Sequence, residues 1–189
     1  MQYFVNVNAC CDGDGSKERP YRYIGDAAKV AKAGDEVIVA PGIYREYVCP
    51  ENAGSKDAPV TYISEEPLGA VITGAEILKG WKKYKGSVYT ARVNNGIFAG
   101  YNPYTTEVYG DWYFSDTIRH AGSIFINDQE LYEVMSLDEC LSSKADEFAW
   151  NAEESKFKWY TEQDGDETVF YANFRGKDPN KEKVEITVK

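Results

Sequence analysis

The segment Asp35-Glu36-Val37-Ile38-Val39-Ala40-Pro41-Gly42-Ile43-Tyr44-Arg45-Glu46-Tyr47-Val48 holds two short apolar-rich runs around a Pro-Gly corner, which predicts strand, tight turn, strand. The pattern returns one coil later. Val37 opens one strand and Val60 the next, while Val48 lies in a second strand and Val71 in its successor, each pair 23 residues apart. Repetition at twenty-odd residues is the signature of a solenoid, whose units bury their apolar faces only against neighbours. Two coils do not stand alone, so the pattern predicts either a covering element or the opening of a larger assembly. Ahead of it, Tyr3, Val5 and Val7 alternate as a first strand. Ile24, Ala27, Ala28 and Ala31 then follow the spacing of a short amphipathic helix, with Lys29 and Lys32 in its later turns and Gly34 as its stop. A helix placed before the coils would close an open β-helix end.

Beyond Val71-Ile72-Thr73-Gly74 the texture changes. From Trp81 onward the chain is dense in Trp and Tyr, in short alternating runs such as Ser87–Arg92, Ser123–Asn127, Phe157–Tyr160 and Thr168–Phe174. Such spacing, with Asp164-Gly165 as a hairpin signal, predicts an antiparallel sandwich, and a short helix is expected between Ser136 and Ala149. The last run, Val184-Glu185-Ile186-Thr187-Val188, alternates cleanly and reads as a strand about to enter another sheet. The expected organisation is all-β: residues 1–78 as helix cap and first β-helix coils, 79–182 as inserted sandwich, and 183–189 as a strand returning to the β-helix.

Charge narrows the partners. Of 189 residues, 31 are acidic and 21 basic, a net charge of −10 without a long basic block. Nucleic acid and acidic membrane surfaces are poor partners for such a chain, because phosphate neutralisation needs clustered Lys and Arg. Anionic polysaccharides are disfavoured in the same way, and a neutral sugar suits the balance better. No stretch reaches the ~20 apolar residues of a membrane span. The start, Met1–Val7, has no basic region followed by a long apolar core and reads as a strand rather than a secretion signal. Cys10, Cys11, Cys49 and Cys140 fit neither a spaced disulfide framework nor a zinc site, which points to free thiols in a cytoplasmic protein.

Little else restricts the chemistry. His120 is the single histidine, so multi-histidine metal sites are excluded, and Ile118-Arg119-His120-Ala121-Gly122 carries no nucleophile-elbow pattern. No phosphate-binding glycine loop appears, and neither cofactor nor metal is expected. Asp12-Gly13-Asp14-Gly15-Ser16 superficially resembles a calcium loop. Lys17 stands where an EF-hand needs glycine, however, and no Glu closes the loop, so it reads as a turn. Glycoside hydrolysis needs two carboxylates, but among 31 acidic residues composition selects no pair. The densest constellation is Gly100–Trp112, where tyrosines including Tyr104, Trp112, Asn102 and Asp111 gather on a stretch punctuated by Gly and Pro. Aromatic faces with amide and carboxylate groups suit a saccharide pocket; sandwich core plus turns would have the same texture.

The blocks Ala33-Gly34-Asp35, Pro41-Gly42-Ile43-Tyr44-Arg45-Glu46, Asn102-Pro103-Tyr104, Glu107–Trp112, His120-Ala121-Gly122, Leu131–Val134 and Asn173–Asn180 occur together in this order. In these the chain resembles the N-terminal part of bacterial β-xylosidases of glycoside hydrolase family 120 over essentially its whole length. The resemblance implies a right-handed parallel β-helix interrupted early by an inserted β-sandwich. It also implies retaining hydrolysis of xylo-oligosaccharides and aryl β-xylosides by a carboxylate nucleophile and a carboxylic acid/base. In the family both carboxylates lie on later coils, and no residue here matches them, so no catalytic residue is assigned. Trp112 is expected to border the sugar pocket, with Asp111, Asn102, His120 and Tyr104 as further substrate-binding candidates. The expected partners are a xylo-oligosaccharide or related neutral saccharide, the remaining β-helix coils (on the same or a second polypeptide), and further copies in a homo-oligomeric complete enzyme. Two readings follow: the N-terminal portion of such an enzyme, or a free-standing non-catalytic module for carbohydrate binding or assembly. The closing alternating strand favours the first.

Overall fold

In the computed structural model, which describes residues 1–111 and 117–189, the chain divides into two compact units, Met1–Gly74 and Ala75–Lys189. The first contains strands β1 (Gln2–Val5), β2 (Glu36–Val39), β3 (Gly42–Arg45), β4 (Thr61–Ser64) and β5 (Ala70–Thr73), with helix α1 (Ile24–Val30) between β1 and β2. β1, β2 and β4 stack in parallel as one sheet, and β3 and β5 stack in parallel as a second. These are the rungs of a parallel β-helix. Inward-facing Val5, Val37, Val39 and Tyr44 meet Ile24, Ala27 and Ala31 from the α1 segment in one core.

The rung spacing differs from that expected. Val37 pairs with Tyr62 and Ile43 with Val71, so successive rungs are 25 and 28 residues apart rather than 23. Val60 precedes β4, and Val48 lies beyond the end of β3. The long connection over residues 46–60 makes the coils unequal, and a repeat read from valines alone misses that. The Pro-Gly corner itself is as expected. Gly42 donates its N–H to the Gly69 carbonyl, and a Cβ there would come within 2.6 Å of Val7 Cγ1.

Helix α1 has no side-chain cap of its own, because Tyr23 at its N-cap position offers none. Glu46, just past β3, caps it from a distance. Oε1 accepts the Ile24 N–H at 2.8 Å and Oε2 the Gly25 N–H at 2.7 Å, placing a carboxylate on two of the otherwise unpaired amides at the helix start. The helix ends at Val30, earlier than expected, because Ala31 is already extended; Gly34, at φ +84, turns the chain toward β2. In the aspartate-rich turn, the Arg19 guanidinium bonds the Asp12 carbonyl at 2.7 Å and also contacts the Asp12 and Asp14 carboxylates. An internal cation thus stands among the loop's oxygens, as fits a turn.

The second unit contains β6 (Ala75–Ile77), β7 (Lys82–Lys85), β8 (Val88–Asn94), β9 (Ile124–Ile126), β10 (Gln129–Glu130), β11 (Tyr132–Glu133), helix α2 (Leu137–Leu141), β12 (Lys158–Asp164), β13 (Glu167–Asn173) and β14 (Val184–Thr187). One sheet runs β11-β12-β13-β8-β7 and the other β10-β9-β14-β6; every pairing is antiparallel except β11 with β12. Both sheets feed one core, with Ala91, Trp159, Phe170 and Ala172 from the first and Ile124, Ile126, Val184 and Ile186 from the second. Gly165, at φ +59, makes the expected hairpin between β12 and β13. α2 starts at Ser136, whose hydroxyl accepts the Glu139 N–H. β14 was expected to return to the β-helix. Its hydrogen bonds run instead to β6 and β9, with Val184, Ile186 and Val188 buried in the second core. Among the described residues, no helix is long and apolar enough to cross a membrane.

Tyr104 joins this core from the loop side. It is 2 % exposed, meets Phe170 edge-on at 4.8 Å and Trp159 at 5.5 Å, and donates its hydroxyl to the Ser123 carbonyl at 2.8 Å. Gly122 lies under the ring, where a Cβ would come within 2.6 Å of it.

Two expectations follow for stability. Removing the Glu46 carboxylate (Glu46→Ala) leaves two helix amides without their partner and should cost ~1–2 kcal/mol, the usual cost of a lost cap. Denaturant unfolding checks this, and an unchanged midpoint would show that solvent serves those amides equally well. Tyr104→Ala should cost ~3–5 kcal/mol, as for other buried aromatics. Tyr104→Phe should cost only ~1 kcal/mol, since the Ser123 carbonyl also accepts from Thr187. Equal losses in the two variants would contradict the packing role.

Candidate functional site

The stretch singled out in the sequence is an excursion anchored at both ends. Val108 N–H bonds the Arg119 carbonyl at 2.7 Å, Ala121 N–H bonds Thr106 at 2.9 Å, and Glu107 and His120 form an antiparallel bridge. Its base is fixed by Asn102. The Asn102 amide donates to Thr168 Oγ1 at 2.9 Å and Asn95 Oδ1 at 3.3 Å, its Oδ1 accepts the Tyr104 N–H, and its carbonyl takes the hydroxyls of Thr105 and Thr106. Both ends of the Asn102 side-chain amide and its backbone carbonyl are thereby used internally. Asn102 and Tyr104, expected as sugar contacts, are instead the anchor of the excursion. Burial holds the Tyr104 phenol well above its usual pKa, so it acts as a hydrogen-bond donor inside the core. Asp111 is exposed within the excursion. Trp112 lies outside the described residues.

Among the described candidates, His120 lines a cavity. A space of about 690 Å³ is lined by Arg119, His120, Gln129, Glu130, Glu133 and Trp159, among others. Glu133, from β11, grips His120 twice. Oε2 accepts the His120 backbone N–H at 2.9 Å, and Oε1 lies 2.5 Å from Nδ1. Arg119 in turn donates to the Glu133 carbonyl at 3.1 Å. A carboxylate only accepts, so Nδ1 carries a proton, and whenever the ring carries that proton alone Nε2 is an acceptor held in one orientation. The side chains are partly sheltered, at 24 % exposure for His120 and 10 % for Glu133. Nearby, Ser123 Oγ donates to Glu130 Oε1 at 2.5 Å, while Gln129 Nε2 is buried without a hydrogen-bond partner among the described residues.

These groups determine what the cavity suits. Asp128, Glu130, Glu133 and Glu154 outnumber Arg119 around it, which opposes anionic ligands. An imidazole acceptor, an amide donor, carboxylate oxygens and the Trp159 side chain suit a neutral polyhydroxy molecule. No three His, Cys, Asp or Glu side chains among the described residues are placed to hold a metal ion together. Glu133 had no assigned role in the sequence reading. It stands 13 positions from His120, on β11, and local spacing gives no signal for such a pair.

The sequence profile of the glycoside hydrolase 120 insertion domain matches residues 78–186. A solved structure described as the complex of XylC with xylose aligns with all of this chain at a TM-score of 0.90 and 37 % identity, the alignment covering 32 % of that chain. The uncharacterized protein YwoF of Bacillus subtilis (strain 168) is 30 % identical over 74 residues, which are 39 % of this chain and 16 % of YwoF. The chain therefore spans about a third of the XylC structure and a smaller share of YwoF. With its insertion domain matched over 78–186 and its β-helix rungs preceding it, the chain belongs to glycoside hydrolase family 120.

Proposed function

We propose that this chain is the N-terminal portion of a xylosidase-type glycoside hydrolase. It contributes the opening β-helix rungs, the insertion domain and part of the wall of a saccharide pocket, while the catalytic carboxylates belong to later coils. The observation that carries the reading is the similarity along the whole chain to XylC, solved with xylose, together with the share of XylC left unmatched. The rungs add support. Tyr62, Ile63, Val71 and Ile72 are exposed, and an apolar groove of about 320 Å³ runs beside Val39, Val48, Tyr62, Ile63 and Ile72. Further coils of the same enzyme, on this or a second polypeptide, are the proposed cover, since β-helix rungs bury their apolar residues against the next coil.

The proposed substrate is a xylo-oligosaccharide or a related neutral saccharide. Trp112 and Asp111 are proposed at the pocket border and His120 as a hydroxyl acceptor, with Asn102 and Tyr104 holding the excursion that carries them. A cytoplasmic location is proposed from the exposed, unpaired Cys10, Cys11 and Cys49, which suit a reducing compartment. The complete enzyme is proposed to be a homo-oligomer.

Hydrolysis with retention needs two carboxyl groups ~5–5.5 Å apart across the glycosidic bond. Residues 1–189 alone should not cleave an aryl β-xyloside, whereas the same chain continued through the later coils should. Turnover by the purified 189-residue chain, persisting after removal of contaminating xylosidase, would refute the assignment of the carboxylates to later coils.

The His120 role has its own test. In Glu133→Gln, an oxygen can still accept the His120 N–H while the amide NH₂ faces Nδ1. The ring proton then moves to Nε2, which turns from acceptor to donor. A sugar hydroxyl that donates to Nε2 should bind ~10-fold more weakly in this variant, as losing about one hydrogen bond implies. Thermal stability should change little. Unaltered sugar affinity in both Glu133→Gln and His120→Ala would remove His120 from the pocket.

A further inference from the structure

We propose that Cys10 and Cys11 form a vicinal dithiol site for a soft, thiophilic electrophile that takes two sulfurs, of the trivalent arsenical class. The two cysteines are adjacent, exposed and not joined in a disulfide. In a strand, neighbouring side chains diverge to opposite faces. These two follow the end of β1 at Val5, where the chain is turning: Ala9 N–H bonds the Asn6 carbonyl at 2.8 Å, and Asn8 N–H bonds Asn6 Oδ1 at 2.9 Å. The strict alternation of a strand does not hold there, and in the proposed site the two exposed thiols turn to a common ligand.

Two further features suit the site to this chemistry. Arg22 Nη1 donates toward Cys11 Sγ at 3.4 Å, so a cation stands beside a sulfur that would bond a soft centre. Beside Cys10 is a cavity of about 340 Å³, also lined by Asn6, Asn8, Arg19 and Pro20, with room for the substituent of a monosubstituted arsenical. No trio of metal-ligating side chains gathers among the described residues, so the fit is to a centre satisfied by two sulfurs rather than to a tetrahedral zinc. The other cysteines differ. Cys49 has no cysteine beside it in sequence, and Cys140 is fully buried, its thiol pushed up to about 12 by burial. The step involves no redox change. Two As–S bonds form, the oxide oxygen of the arsenical leaves as water, and the two thiol protons leave with it.

Phenylarsine oxide is the probe, applied to the reduced 189-residue chain, with free thiols counted by a chromogenic disulfide reagent under native conditions. Without the arsenical the three exposed cysteines should titrate and Cys140 should stay silent. After one equivalent the count should fall from three to one, with Cys49 remaining, and a small dithiol should restore it. Cys10→Ser and Cys11→Ser should each abolish the protection, and Cys49→Ser should leave it intact. A count that stays at three would overturn the proposal, as would protection that survives in Cys10→Ser or disappears in Cys49→Ser. These readings do not depend on glycosidase activity, so the saccharide assignment stands or falls separately.

Discussion

The Tyr104 side chain is the constraint on which the geometry of the second unit depends. Its ring lies between Phe170 and Trp159 above Gly122, and its hydroxyl ends on the Ser123 carbonyl. One residue therefore ties the loop chain to the five-stranded sheet and to the approach of β9 in the other. Gly122 and Ser123 are fixed on one side of the excursion and Asn102 on the other, so the ends of the intervening loop are fixed before any ligand arrives. His120, two residues before Gly122, inherits that position. The Glu133 carboxylate then has only to orient a ring whose backbone is already held. Loops that carry binding residues work in this way when a rigid scaffold sets their ends.

The neutral guest proposed for the cavity beside His120 fits the way its acidic groups are engaged. Much of the acidity around it is engaged: Glu133 on His120, Glu130 on Ser123, Asp128 on Lys183. Such pairings spend lone pairs locally and leave a polar surface whose remaining field still opposes anions. Selectivity of this kind comes as much from what is repelled as from what is bound.

Much of the architecture was legible in the sequence because it is written in local alternation. The Ser87–Arg92, Phe157–Tyr160 and Thr168–Phe174 runs each lie on a strand in all but one residue, Asp164-Gly165 turns a hairpin, and Ile24–Ala28 begins a helix. What was not legible depends on partners distant in the chain. The destination of β14 is decided by β6 and β9, since alternation gives a strand two faces but no neighbour. The rung spacing was misread because it combines strand lengths with a long connection that valine positions do not report. Asn102 and Tyr104 read as a sugar pocket because an amide among aromatics has the same composition whether it faces a ligand or a core. Only the hydrogen bonds to Thr168 and Ser123 distinguish the two. The helix stop was displaced for a smaller reason: Ala31 turned extended before the glycine was reached.

The remote cap on α1 also has a consequence in time. The carboxylate that serves the Ile24 amide lies 22 residues further along the chain. At ~5–20 residues per second of synthesis, the helix leaves the ribosome about 1–4 seconds before its cap does. A seven-residue segment without a cap of its own is too short to hold a helix in water. On the nascent chain α1 is therefore an unformed segment until β2 and β3 have been made, and the helix that closes the solenoid is the product of the first coil rather than its template.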